Sequence, residues 1–166
     1  MLLKGKAHKF GDNVSTDLIA PGRFFHLRSN LPELAKHTLE DADEDFTKKV
    51  KPGDFVVAGE NFGLGSSREH APLIIKFCKV NAVLAKSFSR IFFRNAINIG
   101  LPVLECDTDE IKDTDELAVD LSKGVIINKT KNIELKFQPL SEVALTFLKD
   151  GGLVEHIKKN KGFKLR

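Results

Sequence analysis

The residues of this 166-residue chain best suited to chemistry lie in one run, Gly59-Glu60-Asn61-Phe62-Gly63-Leu64-Gly65-Ser66-Ser67-Arg68-Glu69-His70. Two hydroxyls, a guanidinium, a carboxylate and an imidazole follow a glycine-rich turn with no bulky residue among them. Gly63 and Gly65 admit backbone geometries that a side chain resists. Ser66 to His70 are expected to open a helix, whose first turn presents unpaired N–H groups and a partial positive charge. A serine in that field loses its proton more readily, and a neighbouring arginine can hold a carboxylate. The competing reading is structural: Ser66 followed three residues later by Glu69 is a capping box, with Arg68 and His70 as solvated first-turn residues. Other chemistries fail on spacing. A dinucleotide fingerprint needs glycine where Arg68 stands, no Gly-Lys-Ser/Thr follows, and neither serine occupies a Gly-x-Ser-x-Gly elbow.

These residues need strands and helices to hold them. An apolar run at 55–58 leads directly into the glycine turn and reads as a buried strand, as does 82–85. Between them 73–78 reads as a helix, with Pro72 limiting its upstream extent. A second helix is expected over 90–98, ended by Gly100, followed by a strand at 101–104. Strand, helix, strand, helix, strand implies right-handed crossovers and a partly parallel sheet. Ahead of this, 2–10 is a strand, 13–28 reads as a chemically dense loop, 31–38 as a helix capped by Asn30, and 40–45 as an exposed acidic connector. After it come short strands at 117–121, 125–127 and 133–137, then a helix capped by Ser141 and broken by Gly151-Gly152, and a last helix over 153–158. The expected fold class is α/β, one domain over residues 1–166 with a mixed, partly parallel sheet.

Composition narrows the function. Hydrophobic content of 42%, charged content of 30% and a net charge of +3 describe an ordinary globular chain, with too little positive charge to argue for nucleic acid. The C-terminal lysines 158, 159, 161 and 164 read as a solvated tail. Only Cys78 and Cys106 are present, so neither a disulfide framework nor the three or four thiolates of an iron–sulfur cluster can come from this chain. With no paired metal-ligand spacing, no metal site is expected. No run is long enough for a signal peptide or a membrane span, and the expected location is the cytoplasm.

Three segments together, Ser15-Thr16-Asp17-Leu18-Ile19-Ala20-Pro21-Gly22-Arg23, Gly59 to Ala71, and Lys86-Ser87-Phe88-Ser89-Arg90-Ile91-Phe92-Phe93-Arg94-Asn95, resemble the swivelling domain of the aconitase superfamily. The resemblance is to the form found in the small subunits of isopropylmalate dehydratases and homoaconitases, and it covers nearly the whole chain. It implies a swivelling β/β/α domain and a hydro-lyase that moves a hydroxyl between neighbouring carbons of a small hydroxy-acid. It also implies a large partner subunit, in a heterodimer or heterotetramer, that supplies a [4Fe–4S] cluster, with no cofactor bound by this chain. Ser66 would be the catalytic base and Arg68 would bind a substrate carboxylate while favouring the charged form of Ser66. Ser67 and Asp17 would complete the substrate site, Asp17 by orienting an arginine or the corner backbone. Arg28 falls where the family carries a second substrate-facing arginine. It would pair either with a third carboxylate, as in homocitrate, or with one that all substrates share. Relatives carry tyrosine at the position of His26. His70 is expected to orient the corner, and Arg90 and Asn95 to be structural or to face the cleft. A binding module that kept the fold and lost the chemistry is the contrasting class, and intact Ser66, Arg68 and Arg28 argue against it.

Overall fold

In a computed structural model that describes residues 2–165, seven strands form one mixed sheet. They are β1 (Leu2–Lys9), β2 (Phe55–Val57), β3 (Ala82–Ala85), β4 (Val103–Glu105), β5 (Glu116–Asp120), β6 (Val125–Asn128) and β7 (Ile133–Lys136), in the order β4-β3-β2-β1-β5-β6-β7. The β1–β2, β2–β3 and β3–β4 pairs are parallel, while β1–β5, β5–β6 and β6–β7 are antiparallel. Strand β1 therefore joins two half-sheets of opposite character.

The parallel strands are apolar throughout because both of their faces are covered. Val56, Val83 and Ala85 point into a core with Ile74 and Ile75 of helix α4 (His70–Phe77) and with Phe92 and Ala96 of helix α5 (Arg90–Asn98). Phe55, Val57, Ala82 and Leu84 alternate with them and meet Leu117, Val119 and Ile126 from the antiparallel half in a second core. The sheet curls to bring this about, and its two edges meet. Cys106 bridges Phe137, and Gln138 N–H donates to the Glu105 carbonyl at 2.8 Å.

Chain segments read as irregular are partly regular. Residues 13–28 contain helix α1 (Thr16–Ile19), capped by Ser15, and the 3₁₀ turn Gly22–Leu27. Helix α2 (Leu31–Ala35) takes its cap from Asn30, as expected. The acidic stretch 40–45 is not a free connector: Glu40 and Asp41 hold Arg23, and Asp43 holds Lys49. Fully buried Phe46 then opens helix α3 (Phe46–Lys49). Burial of one aromatic ring and local ion pairing organise a segment whose composition alone reads as solvated. Helix α4 begins at His70, three residues ahead of the regular stretch read from 73, because Pro72 falls in the first turn, where a missing N–H costs nothing. Helices α6 (Glu142–Asp150) and α7 (Leu153–Asn160) follow, with Ser141 capping α6 and left-handed Gly151 ending it.

Candidate active site

All three chemistry-bearing segments leave the carboxyl ends of adjacent parallel strands: 10–28 follows β1, 59–70 follows β2, and 86–89 follows β3. That edge is where open α/β sheets place ligands. The segments are laced together by backbone bonds. Gly63 N–H donates to the Val14 carbonyl at 2.7 Å and Thr16 N–H to the Leu64 carbonyl at 2.8 Å. Phe62 N–H donates to the Ser87 carbonyl at 3.0 Å, Ser89 N–H to the Phe62 carbonyl at 2.9 Å, and Asn61 N–H to Ser87 Oγ at 2.8 Å. Gly63, at φ +80°, lies so close to Phe92 that a Cβ would stand 2.2 Å from the ring. The third segment thus clamps the glycine turn, and the side chains of Arg90 and Asn95 make no hydrogen bond there among the described residues.

The corner corrects one expectation. Ser66 does not open a helix, since α4 starts four residues later and Glu69, at its N-cap, makes no side-chain cap bond. Ser15, Ser89 and Ser141 each accept the capping N–H of their helices, whereas Ser66 caps none. Positive φ at Gly63 and Gly65 turns the chain before the helical geometry can begin. Ser66 and Ser67 are exposed. Among the described residues the N–H groups of Ser66, Ser67 and Glu69 make no backbone hydrogen bond. Ser66 Oγ lies 3.5 Å from Thr16 Oγ1, a hydroxyl the sequence reading did not select. Thr16 is buried at 3% exposure, and its place as the first residue of α1 gave no chemical signal.

Arg68 is held from one side. Its Nη1 donates to Asp17 Oδ1 at 2.9 Å and to the Ala20 carbonyl at 2.8 Å. Asp17 Oδ1 also accepts from Gly22 N–H at 3.0 Å, so one carboxylate oxygen ties the arginine to the start of the 3₁₀ turn. Among the described residues Nη2 and Nε make no hydrogen bond, and the edge they share has the geometry that suits a carboxylate. Arg28 stands exposed at the end of that turn, its guanidinium carbon 4.3 Å from the centre of the Phe25 ring. The same ring meets His70 edge-on with centroids 5.8 Å apart. Burial, aided by the charges of Arg68 and Arg28, holds the His70 imidazole below its ordinary pKa, so it is neutral at physiological pH. Arg23 points elsewhere, to Glu40 and Asp41.

This constellation faces open solvent. Hollows of about 560 Å³ beside Phe93, Arg94 and Leu140 and of about 610 Å³ beside Leu101 and Leu148 lie away from it. A site of this kind excludes water only when something covers it.

Residues 28–109 match the Aconitase C-terminal domain, which takes in Arg28, the corner and the clamp at 86–95. Similarity to individual proteins extends further. The 3-isopropylmalate dehydratase small subunit 2 of Archaeoglobus fulgidus is 62% identical over 165 residues, 99% of this chain and 100% of its own length. The chain belongs to the 3-isopropylmalate dehydratase small-subunit family. A second member, small subunit 1 of Thermotoga maritima, is 58% identical and covers 98% of each chain. The fold agrees as well. The crystal structure of a 3-isopropylmalate dehydratase from Methanocaldococcus jannaschii superposes with a TM-score of 0.94 at 51% identity, over 97% of this chain and 96% of that one. Membership makes this chain part of a hydro-lyase of the aconitase type, and the curled mixed sheet is the family's architecture. Among the described residues no helix is long and apolar enough to cross a membrane.

Proposed function

We propose that this chain is the small subunit of a cytoplasmic 3-isopropylmalate dehydratase, interconverting 2- and 3-isopropylmalate by loss and return of water, with Ser66 as the base. The observation that carries the proposal is the pairing of a serine freed from capping with an arginine anchored on Asp17 and the Ala20 carbonyl. In the dehydration, the Ser66 alkoxide takes the proton from the carbon beside the one that loses hydroxide. In the hydration, Ser66 delivers the proton to the carbon that lost hydroxide while hydroxide adds to the carbon that lost the proton, so the hydroxyl ends on the neighbouring carbon. Arg68 supplies a nearby positive charge that favours the alkoxide, and its free edge takes a substrate carboxylate. Ser67 and the unpaired N–H groups of the corner offer further donors, and Arg28 offers a second cation for a carboxylate. Preorganised donors of this kind act most strongly once water is excluded. The open face therefore calls for a partner, in keeping with relatives that are named small subunits.

The chain's own residues do not fit an iron–sulfur cluster. Cys78 packs against the helix-side core and Cys106 lies in the core on the other face of the sheet. Burial pushes the Cys106 thiol up to about 12, and among the described residues no His, Cys, Asp and Glu gather as a ligand set. The cluster belongs with the large partner subunit, where it would bind the departing hydroxyl as a Lewis acid.

The test is steady-state turnover of the chain reconstituted anaerobically with its iron–sulfur large subunit, on 2-isopropylmalate and on homocitrate. A strong preference for 2-isopropylmalate, lost in Ser66→Ala while assembly and substrate binding persist, is the expected result. Substantial turnover by Ser66→Ala removes Ser66 as the base. A preference for homocitrate makes Arg28 the reader of a third carboxylate and the chain a homoaconitase subunit.

A further inference from the structure

Phe25 is 47% exposed, a large apolar ring left on the same face as the corner. Its neighbours in the 3₁₀ turn are anchored away from the site. Arg23 is paired with Glu40 and Asp41, and Phe24 stacks on His37 with ring centres 3.6 Å apart. Phe25 instead touches two residues of the candidate site, the Arg28 guanidinium at 4.3 Å and the His70 ring at 5.8 Å. Residues three apart eclipse one another in a 3₁₀ turn, which sets Arg28 over Phe25. The Phe25 carbonyl reinforces this by accepting from Arg28 N–H at 3.1 Å and from Nη1 at 3.2 Å. A cation over an aromatic face is attracted to it, and a ring braced edge-on keeps that face in one place.

We propose that Phe25 is a positioning residue for Arg28, its ring braced by His70 so that the guanidinium is held ready for a substrate carboxylate beside the corner. The inference rests on the reading of Arg28 as a carboxylate-binding group. Without the ring, Arg28 keeps its bonds to the turn but sweeps a wider space, and binding must then supply the order that the ring provides beforehand.

The experiment is a double-mutant cycle in the reconstituted holoenzyme with 2-isopropylmalate, using Phe25→Leu, Phe25→Tyr, Arg28→Gln and the Phe25→Leu/Arg28→Gln pair. Phe25→Leu should raise KM about 3- to 10-fold with kcat little changed, the range of a lost cation–π contact. Phe25→Tyr should restore KM, and Phe25→Leu should add nothing in the Arg28→Gln background. The affinity between subunits, measured by titration calorimetry, should be unchanged. The proposal is overturned if Phe25→Leu leaves KM alone, raises it equally without Arg28, or acts only by weakening assembly. An Arg28→Gln enzyme with normal KM removes the role of Arg28 itself, and turnover by Ser66→Ala removes the base without bearing on Phe25.

Discussion

Replacing Gly63 by alanine tests how the corner is built. At φ +80° an alanine sits in the left-handed region, at a cost of about 1–2 kcal/mol. Its Cβ would also lie 2.2 Å from Phe92 Cγ and 2.4 Å from Phe92 Cβ. Phe92 has little room to yield, being 2% exposed and in contact with Phe62 at a centroid distance of 5.2 Å. Forcing a methyl group into such packing costs about 1–3 kcal/mol. Together these come to about 2–5 kcal/mol, a large share of a typical domain's stability. At about 2–4 °C per kcal/mol for a chain of this size, the melting temperature should fall by roughly 4–20 °C. Scanning calorimetry of the isolated subunit measures this directly. Turnover of the reconstituted enzyme should fall too, because Gly63 N–H bonds to Val14 and so sets the corner against Thr16. Gly11→Ala is the control, since a Cβ there meets nothing within 4 Å and the backbone is not left-handed. If the two variants melt alike, the packing argument is wrong.

Asp17→Asn should raise KM for 2-isopropylmalate by releasing Arg68, while lowering the melting temperature by only a few degrees. The pair is partly exposed, and such pairs contribute about 1 kcal/mol at most. Lys159 and His156 hold the Asp150 carboxyl at about 2, below its ordinary 3.8. A carboxylate lowered on folding stabilises fully above its unfolded pKa, and that contribution fades as the pH falls from about 3.8 to about 2. Asp150→Asn should therefore flatten that stretch of a plot of denaturation midpoint against pH. Burial raises the pKa of both thiols, that of Cys106 to about 12, so neither is a thiolate at pH 8. Iodoacetamide followed by mass spectrometry should find both unmodified in the native protein and both labelled after unfolding, and native labelling of Cys106 would contradict its burial.

Much of the architecture was legible in the chain. Uninterrupted apolar runs at 55–58 and 82–85 demand strands covered on both faces, and Asn30, Ser141 and Gly151 mark helix ends by local chemistry that needs no distant partner. Short elements stabilised from afar were not. Thr16–Ile19 and Phe46–Lys49 are too brief to form alone. They exist because Ile19 and Phe46 are buried against residues far along the chain.

The site divides in the same way. Residue types and spacing single out Ser66, Ser67 and Arg68, because glycines followed by hydroxyls and charges have few uses, whereas Arg28 and Asp17 were pointed to by the resemblance to the family that the same motifs carry. Only the tertiary structure decided that Ser66 caps no helix, that Thr16 is its hydroxyl neighbour, that Arg68 spends one nitrogen on Asp17 and Ala20, and that Phe25 lies between Arg28 and His70. These are contacts between segments up to 51 residues apart. They depend on the strand order that sets β1, β2 and β3 side by side, and local propensity carries no record of that order.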